Sequence, residues 1–307
     1  MKKLRNIFAE TMLDLGKKDK KLVVMVGDIS HGILKPFAKK FPNRYYNIGI
    51  CESAMVNMAA GLSKVGLNPV VHTIAPFLIE RAYEQIKLDF GYQKLDINLV
   101  SVGGSFDYSK LGCSHHCYND VSILSHFKRC SIVLPGSENE FRILFKQIYK
   151  KKNINYFRLP EFSHNYKFNN KDIKFGKSIK VKSGRDVTIA VTGTQLKNVI
   201  EAEKLLKKNN ISTEILYFHT IKPFDYESVK KSLKKTKRLI SIEELSAHDG
   251  LYNSCIKASI GINNLKTDQI AVNDFVHTYG SYEDLCHSVG LTKENIFKRI
   301  KILVRKK

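Results

Sequence analysis

Apolar positions along the first half of the chain switch between two periods. "KLVVMVGDIS" (21–30), "NPVVHTIAPF" (68–77), "INLVSVGG" (97–104), "SIVLPGS" (131–137) and "YFRLPEF" (156–162) are short apolar runs closed by Gly, Pro, Asp or Ser, the form taken by strands buried on both faces. Between them, "LIERAYEQIKLDF" (78–90) and "ENEFRILFKQIYKK" (138–151) carry apolar residues at helical spacing, as does the start of the chain. Residues 163–184 are polar and irregular, a linker with room for one short strand. A second alternating unit follows. "DVTIAVTGTQLKNVIEAEKLLKKNN" reads as strand, turn and helix, "ISTEILYFHTIKPFD" as strand and loop, and "RLISIEE" as a strand before "LSAHDGLYNSCIKASIG". The helical "KENIFKRIKILVRKK" closes it. The expected fold is α/β: two consecutive domains, 1–162 and 185–307, each with a mainly parallel sheet flanked by helices.

In such sheets ligands sit beyond the carboxyl ends of the strands. The residues expected there are Asp28, Glu52, His72, the 103–116 loop and Arg158. Glu52 raises the sharpest question. It lies in "NIGICESAMVNMAAGLSKVG" (47–66), after the strand-like Tyr45, Tyr46, Ile48 and Ile50. After it, Ser53 can cap a helix, and Ala54, Met55, Met58, Ala59 and Leu62 recur at helical spacing. A carboxylate buried at that junction costs several kcal/mol unless it is hydrogen-bonded. The alternative is a solvated or cap-associated glutamate, and the convergence of acids, bases and a cation on one rim weighs against it.

The formal charge of the 307 residues is 51 − 29 = +22. The lysines are spread along the chain without interleaved aromatics or a nucleic-acid motif, so the surplus points to an anionic substrate or an acidic partner. The six cysteines are scattered. "CSHHC" (113–117) has no second ligand pair at finger-like spacing, so free thiols are expected and no metal on this chain. No apolar run reaches membrane length. "MKKLRNIFAETMLDLGKK" carries Glu10 and Asp14 within a helical period, so it reads as an amphipathic helix rather than a leader, and a cytoplasmic protein is expected.

"GICESAMVNMAAGLSKVG", "HTIAPFLIERAYEQIK" and "LGCSHHCYNDVSIL" together resemble the pyrimidine-binding domain of the transketolase family. "TGTQLKNVIEAEKLL" and "HTIKPFD" resemble that family's C-terminal domain, so the likeness runs through essentially the whole chain in order. It implies thiamine diphosphate as cofactor, with the Glu52 carboxyl exchanging a proton with the aminopyrimidine ring. Asp28 and Ile29 match the acid-plus-aliphatic pair that lies against the cofactor and bends it, although a strand-ending turn accounts for Asp28 equally well. Phe77 matches an aromatic beside the pyrimidine, or else fills the core, and Ile74 stands where a second aromatic is usual. His115 matches a histidine that contacts the substrate and the reacting centre, with His116 beside it. Arg158 matches an arginine that holds the substrate phosphate; Arg5 is a second candidate, or a surface cation.

Two positions depart from the family pattern. Leu111 replaces an aspartate that reads a sugar hydroxyl, and Gly103 replaces a phosphate-contacting histidine. Both put ordinary pentose phosphates in doubt, and the Leu-Gly-x-Ser/Thr-His-His form resembles transketolase-like enzymes of specialised carbohydrate synthesis. The Gly-Asp-Gly motif that holds Mg²⁺ and the cofactor diphosphate has no counterpart; the chain has only "GDI" at 27–29. The resemblance therefore implies the C-terminal half of a split transketolase, with a separate N-terminal chain carrying the diphosphate site and Mg²⁺ in a two-fold, heterotetrameric assembly. A 2-oxo-acid dehydrogenase beta subunit, a deoxyxylulose-phosphate-synthase-like enzyme and a non-catalytic subunit of the same fold remain alternatives.

Overall fold

A computed structural model describes residues 3–305. Six strands of the first half, β1 (Leu22–Val26), β2 (Tyr45–Asn47), β3 (Asn68–Ile74), β4 (Ile97–Val102), β5 (Cys130–Val133) and β6 (Ile154–Leu159), pair in parallel. A second sheet uses β7 (Ile179–Lys182), β8 (Val187–Thr192), β9 (Thr213–Phe218), β11 (Arg238–Ser246) and β12 (Lys266–Val272). The short β10 (Thr220–Lys222) belongs to neither half cleanly. It follows β9 at once in the chain, yet pairs antiparallel with β5. The first sheet thus runs β10-β5-β6-β4-β3-β1-β2, and the second β12-β11-β8-β9-β7, with β7 antiparallel on its edge. The protein is α/β with two mainly parallel sheets, and β7 lies inside the polar stretch between the two periodic regions.

The apolar runs form strands because both of their faces are covered. Every residue of β1, β4, β5, β6, β8 and β9 is buried. The Leu4–Lys18 helix lays Leu4, Ile7, Phe8, Met12 and Leu15 onto one face. The Glu52–Lys64 helix lays Met55, Val56, Ala59 and Ala60 onto the other. Each of these side chains larger than alanine contributes about 1.5–3 kcal/mol. β2 is shorter than its apolar pattern suggests. It is an edge strand with β1 as its sole neighbour, pairing ends at Asn47, and Ile50 is 71% exposed. The helix beyond starts on Cys51 as its N-cap, so Ser53 lies within the helix and does not cap it.

The two halves are clasped around Glu140, on the Glu138–Ile148 helix. Its fully buried carboxylate accepts hydrogen bonds from the Gly136 amide (2.9 Å), the Ser137 hydroxyl (2.7 Å), His164 Nε2 (2.8 Å) and the Tyr217 hydroxyl on β9 (2.7 Å). Burial alone would raise its pKa; the His164 hydrogen bond, with the His164 and His219 rings and Tyr217, holds it below the usual carboxylate value. Beside it, Lys222 on β10 donates to the Ser125 and Phe127 carbonyls at 2.8 and 2.6 Å, and the Leu134 amide donates to the His219 carbonyl at 2.8 Å.

Removing this carboxylate strands three side-chain donors drawn from the first domain, the connecting segment and the second domain. Glu140→Ala is expected to lower unfolding free energy by about 3 kcal/mol, read as a fall in the urea midpoint. An unchanged midpoint would show that the two halves are joined mainly elsewhere.

Candidate active site

The strand ends of the first sheet build one rim. After β1, Asp28 (φ +53°) and Ser30 (φ +61°) turn the chain sharply in left-handed conformations. Asn47, at the end of β2, clamps that turn: its Oδ1 accepts from the Asp28 amide and its Nδ2 donates to Asp28 Oδ1, both at 3.1 Å. The Asp28 carboxylate stays exposed, 3.9 Å from the His31 ring, while Ile29 packs against the core. His72, on β3, bonds the Val100 carbonyl through Nδ1 (2.7 Å) and the Ser30 hydroxyl through Nε2 (2.9 Å). A carbonyl can only accept, so Nδ1 carries the proton and Nε2 accepts from Ser30.

Glu52, at the first position of its helix, is 1% exposed. The site of this acidic residue has an elementary logic: the helix N-terminus favours a carboxylate, and Arg81 completes it. Arg81 Nη1 donates to Glu52 Oε2 at 2.9 Å, and its guanidinium carbon lies 4.1 Å above the Phe77 ring. The other oxygen, Oε1, has only the Thr73 hydroxyl at 3.4 Å. Position 27 is glycine where a Cβ would come to 3.4 Å of Oε1 and to 3.0 Å of that hydroxyl. The segment carrying Phe77 and Arg81 is wound wide: the Arg81 amide bonds the Pro76 carbonyl at 3.0 Å, five residues back, and the Gln93 amide bonds the Leu88 carbonyl likewise. Such π-turns, over Pro76–Glu80 and Ile86–Tyr92, put side chains where an α-helix would not.

The loop after β4 is closed by a bridge between Ser105 and Cys117, with backbone bonds of 2.6 and 2.7 Å. It carries His115 against Phe77, ring centroids 5.2 Å apart and edge to face, with the Ser114 hydroxyl 3.0 Å from Nδ1. Phe77 is partly buried, and Ile74, at the end of β3, is partly buried against the core. His116 turns inward. It is buried, neither ring nitrogen makes a hydrogen bond of normal geometry, and burial lowers its pKa against the pull of the Ser109 carbonyl. The "CSHHC" run does not converge on a point: Cys113 is exposed, whereas Cys117 is buried and points its thiol at Glu80, 3.5 Å away. Among the described residues no group of three or more His, Cys, Asp or Glu could hold a metal ion.

Arg158, on β6, is buried, and its Nη1 donates to Asp120 Oδ1 at 3.2 Å. Asp120 also accepts from the Tyr156 hydroxyl at 2.6 Å, and Tyr156 shares a bond with Ser101. Burial opposes the charge on Arg158, yet Asp120, Tyr156, Glu244 and Asp107 together raise its pKa. Gly104 crosses directly over its side chain; a Cβ there would collide with it. Arg5 lies apart from this network, 3.9 Å from Glu161, which Lys3 also pairs. The rim therefore brings Glu52, Phe77 and His115 together, sets Asp28 and Ile29 at the neighbouring strand end, and leaves His116 and Arg158 beneath it. Arg81, Asp107, Tyr108 and Asp120 were not assigned from sequence. Only Arg81 had a signal, its place four residues after Phe77 on a helical segment.

Residues 1–165 match the family model described as the transketolase pyrimidine binding domain, and residues 176–296 that of the transketolase C-terminal domain. The chain is 30% identical to one of the apulose-4-phosphate transketolase subunits of Phocaeicola vulgatus, over 98% of this chain and 97% of that one. It is 32% identical to a putative transketolase C-terminal section of Methanocaldococcus jannaschii, covering 97% and 95%. A solved split-gene transketolase chain, described as an inactive β4 tetramer, superposes with a TM-score of 0.88 at 27% identity, covering 98% of each chain. No helix among the described residues is long and apolar enough to cross a membrane.

The rim carries its own pH dependence through His72. Burial lowers its pKa to about 4, with Arg5 adding to the shift and the Val100 carbonyl opposing it, against about 6.5 when unfolded. Stability is complete above about pH 6.5 and falls as pH drops toward 4, because only the unfolded chain takes up the proton; the loss reaches about 3 kcal/mol at most. His219 is shifted to about 4 as well, so the two must be separated. Urea unfolding at pH 7 and 4.5 should show a smaller pH-dependent loss for His72→Asn than for the wild type. Identical losses would assign the dependence to other groups.

Proposed function

Because the chain belongs to the transketolase family, we propose that it is the C-terminal subunit of a split, thiamine diphosphate-dependent enzyme. It transfers a two-carbon ketol unit from a ketose donor to an aldehyde acceptor, in specialised carbohydrate synthesis. The observation that carries this reading is the buried Glu52 carboxyl beside Phe77 and His115 on one rim. Oε1 lacks a strong partner and faces small neighbours, which suits a hydrogen bond to an aminopyrimidine nitrogen. Bound there, thiamine diphosphate supplies a nucleophilic carbon and an electron sink for cleaving the bond next to a carbonyl.

This chain's residues bind and orient. Glu52 holds and exchanges a proton with the ring nitrogen. Phe77 and Ile74 would hold the ring, and Asp28 and Ile29 would lie against the cofactor from the adjacent strand end. His115 contacts the reacting centre, with His116 behind it. Arg158 retains guanidinium nitrogens beyond the one given to Asp120 and serves as a ligand for a substrate phosphate, with Arg5 as a second cation. The apulose-4-phosphate relative supports a phosphorylated sugar as substrate, and Leu111 supports one other than xylulose 5-phosphate.

Mg²⁺ and the cofactor diphosphate fall to an N-terminal partner chain, and paired chains assemble about a two-fold axis in the cytoplasm. Apolar side chains left open around the rim support that interface: Ile50, Leu111 (54% exposed), Phe275 and Tyr279 (71% exposed).

Glu52→Gln, assembled with the partner chain, is expected to keep assembly and lose at least about a hundredfold in turnover, as loss of an acid–base group does. Wild-type turnover at saturating cofactor would return Glu52 to a role in anchoring Arg81. Alone, the chain is expected to fold but to bind no thiamine diphosphate with Mg²⁺ in calorimetry, since the charge-assisted contacts to the phosphates lie on the other subunit. Micromolar binding with turnover by the single chain would refute the split-enzyme reading.

A further inference from the structure

An open cleft of about 600 Å³ lies where the strands of the second sheet begin, a volume typical of small-molecule sites. Arg185 stands just before β8, Arg238 is the first residue of β11, and Lys266 is the first of β12. Lys235 and Lys237, at the end of the Tyr226–Thr236 helix, complete the set. Five of the eight residues lining the cleft are therefore cations, and no carboxylate among the described residues lines it. No residue of the rim takes part.

Backbone pairing fixes these cations together. Arg238 and Lys266 are register partners on adjacent parallel strands, and the Lys266 amide donates to the Lys237 carbonyl at 3.1 Å. Like charges placed side by side on a sheet repel. The lysines at the helix end have an ordinary reason to be there, since cations offset the negative end of a helix dipole, and Lys235 also pairs with Glu214. Neither reason covers the arginines. Arg238 Nε is buried without a hydrogen-bond partner among the described residues, and Nη1 makes only a long bond, 3.5 Å, to the Asp186 carbonyl. The Asp186 carboxylate is used elsewhere, accepting from the Ser212 amide at 2.6 Å. Arg185 and Lys237 are exposed and form no ion pair with a described residue. A buried donor left unmade is costly, and the groups around this one supply further cations instead of an acceptor.

We propose that this cleft binds a chain of linked phosphates, either free or as the tail of a nucleotide, with Arg238 and Arg185 donating to phosphate oxygens. Guanidinium forks match phosphate oxygens in geometry and charge. Five cations call for a ligand of several negative charges, more than a single sugar phosphate carries. No aromatic lines the cleft for a base to stack on, and Leu265 is its one apolar wall among the described residues, so recognition falls on the phosphates. None of these residues belongs to the ketol-transfer site, so the two readings stand or fall separately.

The test is calorimetry of the full chain with inorganic tripolyphosphate at about 0.15 M salt, where attraction to the overall positive surplus is screened beyond about 8 Å. The wild type should bind with saturation at one site per chain. Arg238→Gln should weaken binding at least about tenfold, the loss expected for a charge-assisted hydrogen bond. Arg185→Gln combined with Lys237→Gln changes only exposed side chains and should cause a similar loss with an unchanged urea midpoint. Lys39→Gln combined with Lys40→Gln removes the same charge from the surface of the first domain and should bind as the wild type does. ATP separates the two sources: affinity equal to that of tripolyphosphate supports a nucleotide tail, and weaker affinity supports free polyphosphate. No saturable binding by the wild type, full binding by both cleft variants, or an equal loss in the Lys39 and Lys40 variant would overturn the assignment and leave the cleft a solvated cluster of charges.

Discussion

A carboxylate out of reach of water has to be held, and the first domain is arranged around holding Glu52. The helix N-terminus supplies a favourable field, Arg81 supplies the counter-charge at 2.9 Å, and Gly27 keeps the neighbouring strand end from crowding Oε1. Arg81 follows the π-turn of Pro76–Glu80, and a second spans Ile86–Tyr92, a rare winding that the surrounding packing has to hold. The packing is there: Leu78, Ile79, Ala82, Ile86 and Phe90 of that segment are fully buried. Only the Glu52 side of the pair is buried, Arg81 being 47% exposed, so the pair itself adds little to stability, whereas removing Arg81 would leave a buried carboxylate without its counter-charge. The arrangement is therefore better understood as a way of keeping a carboxyl in a dry place than as a source of stability.

The second sheet serves the rim indirectly. β10 leaves it to extend the first sheet beyond β5, and Glu140 binds donors from the first domain, the connecting segment and β9 with one carboxylate. Closer to the site, the loop after β4 rests on second-domain groups. Phe106 packs against Tyr282 with centroids 5.5 Å apart, and Tyr282 in turn bonds Glu244. Burial and the neighbouring Glu244 carboxyl raise the pKa of Asp107 well above its ordinary value, against the pull of the Glu161 amide and Arg158. A loop whose base is fixed this way can present His115 and Tyr108 in one geometry without depending on a ligand to order it.

The strands and the alternation of the two halves were legible because period-two and period-3.6 patterns are local. Glu52 and the loop carrying His115 were legible together because each follows a strand of one parallel sheet, where topology brings them to the same edge, whereas Phe77 came only from the family resemblance. What was not legible depends on contacts between distant residues. β2 ends early because one edge of it has no partner, and the β10 exchange depends on tertiary pairing that its own three residues do not announce. Arg158 shows the limit best. Its sequence context, a strand-ending arginine, is that of an anion ligand, but whether it is free depends on Asp120, 38 residues earlier. Tyr108 was invisible for a related reason. Its ring fills the volume left empty at Gly103, and an empty volume leaves no mark in a sequence beyond a glycine.

The surplus of positive charge looks different at the rim than over the chain as a whole. Although the chain carries +22, each arginine near the site already faces a carboxylate: Arg81 faces Glu52, Arg158 faces Asp120, and Arg5 faces Glu161. An arriving anion must share these cations with acids or displace them, and the terms differ by burial. The Arg158–Asp120 pair is sealed, so displacing Asp120 would leave an uncompensated buried charge; an anion there can only use the guanidinium edge that Asp120 leaves open. Arg5 is partly exposed, and its partner is 3.9 Å away and shared with Lys3, so its charge can be lent to a substrate at small cost. For the proposed anionic substrate, this graded hold, tight at Arg158 and loose at Arg5, would leave undisturbed the pair that keeps Glu52 in place.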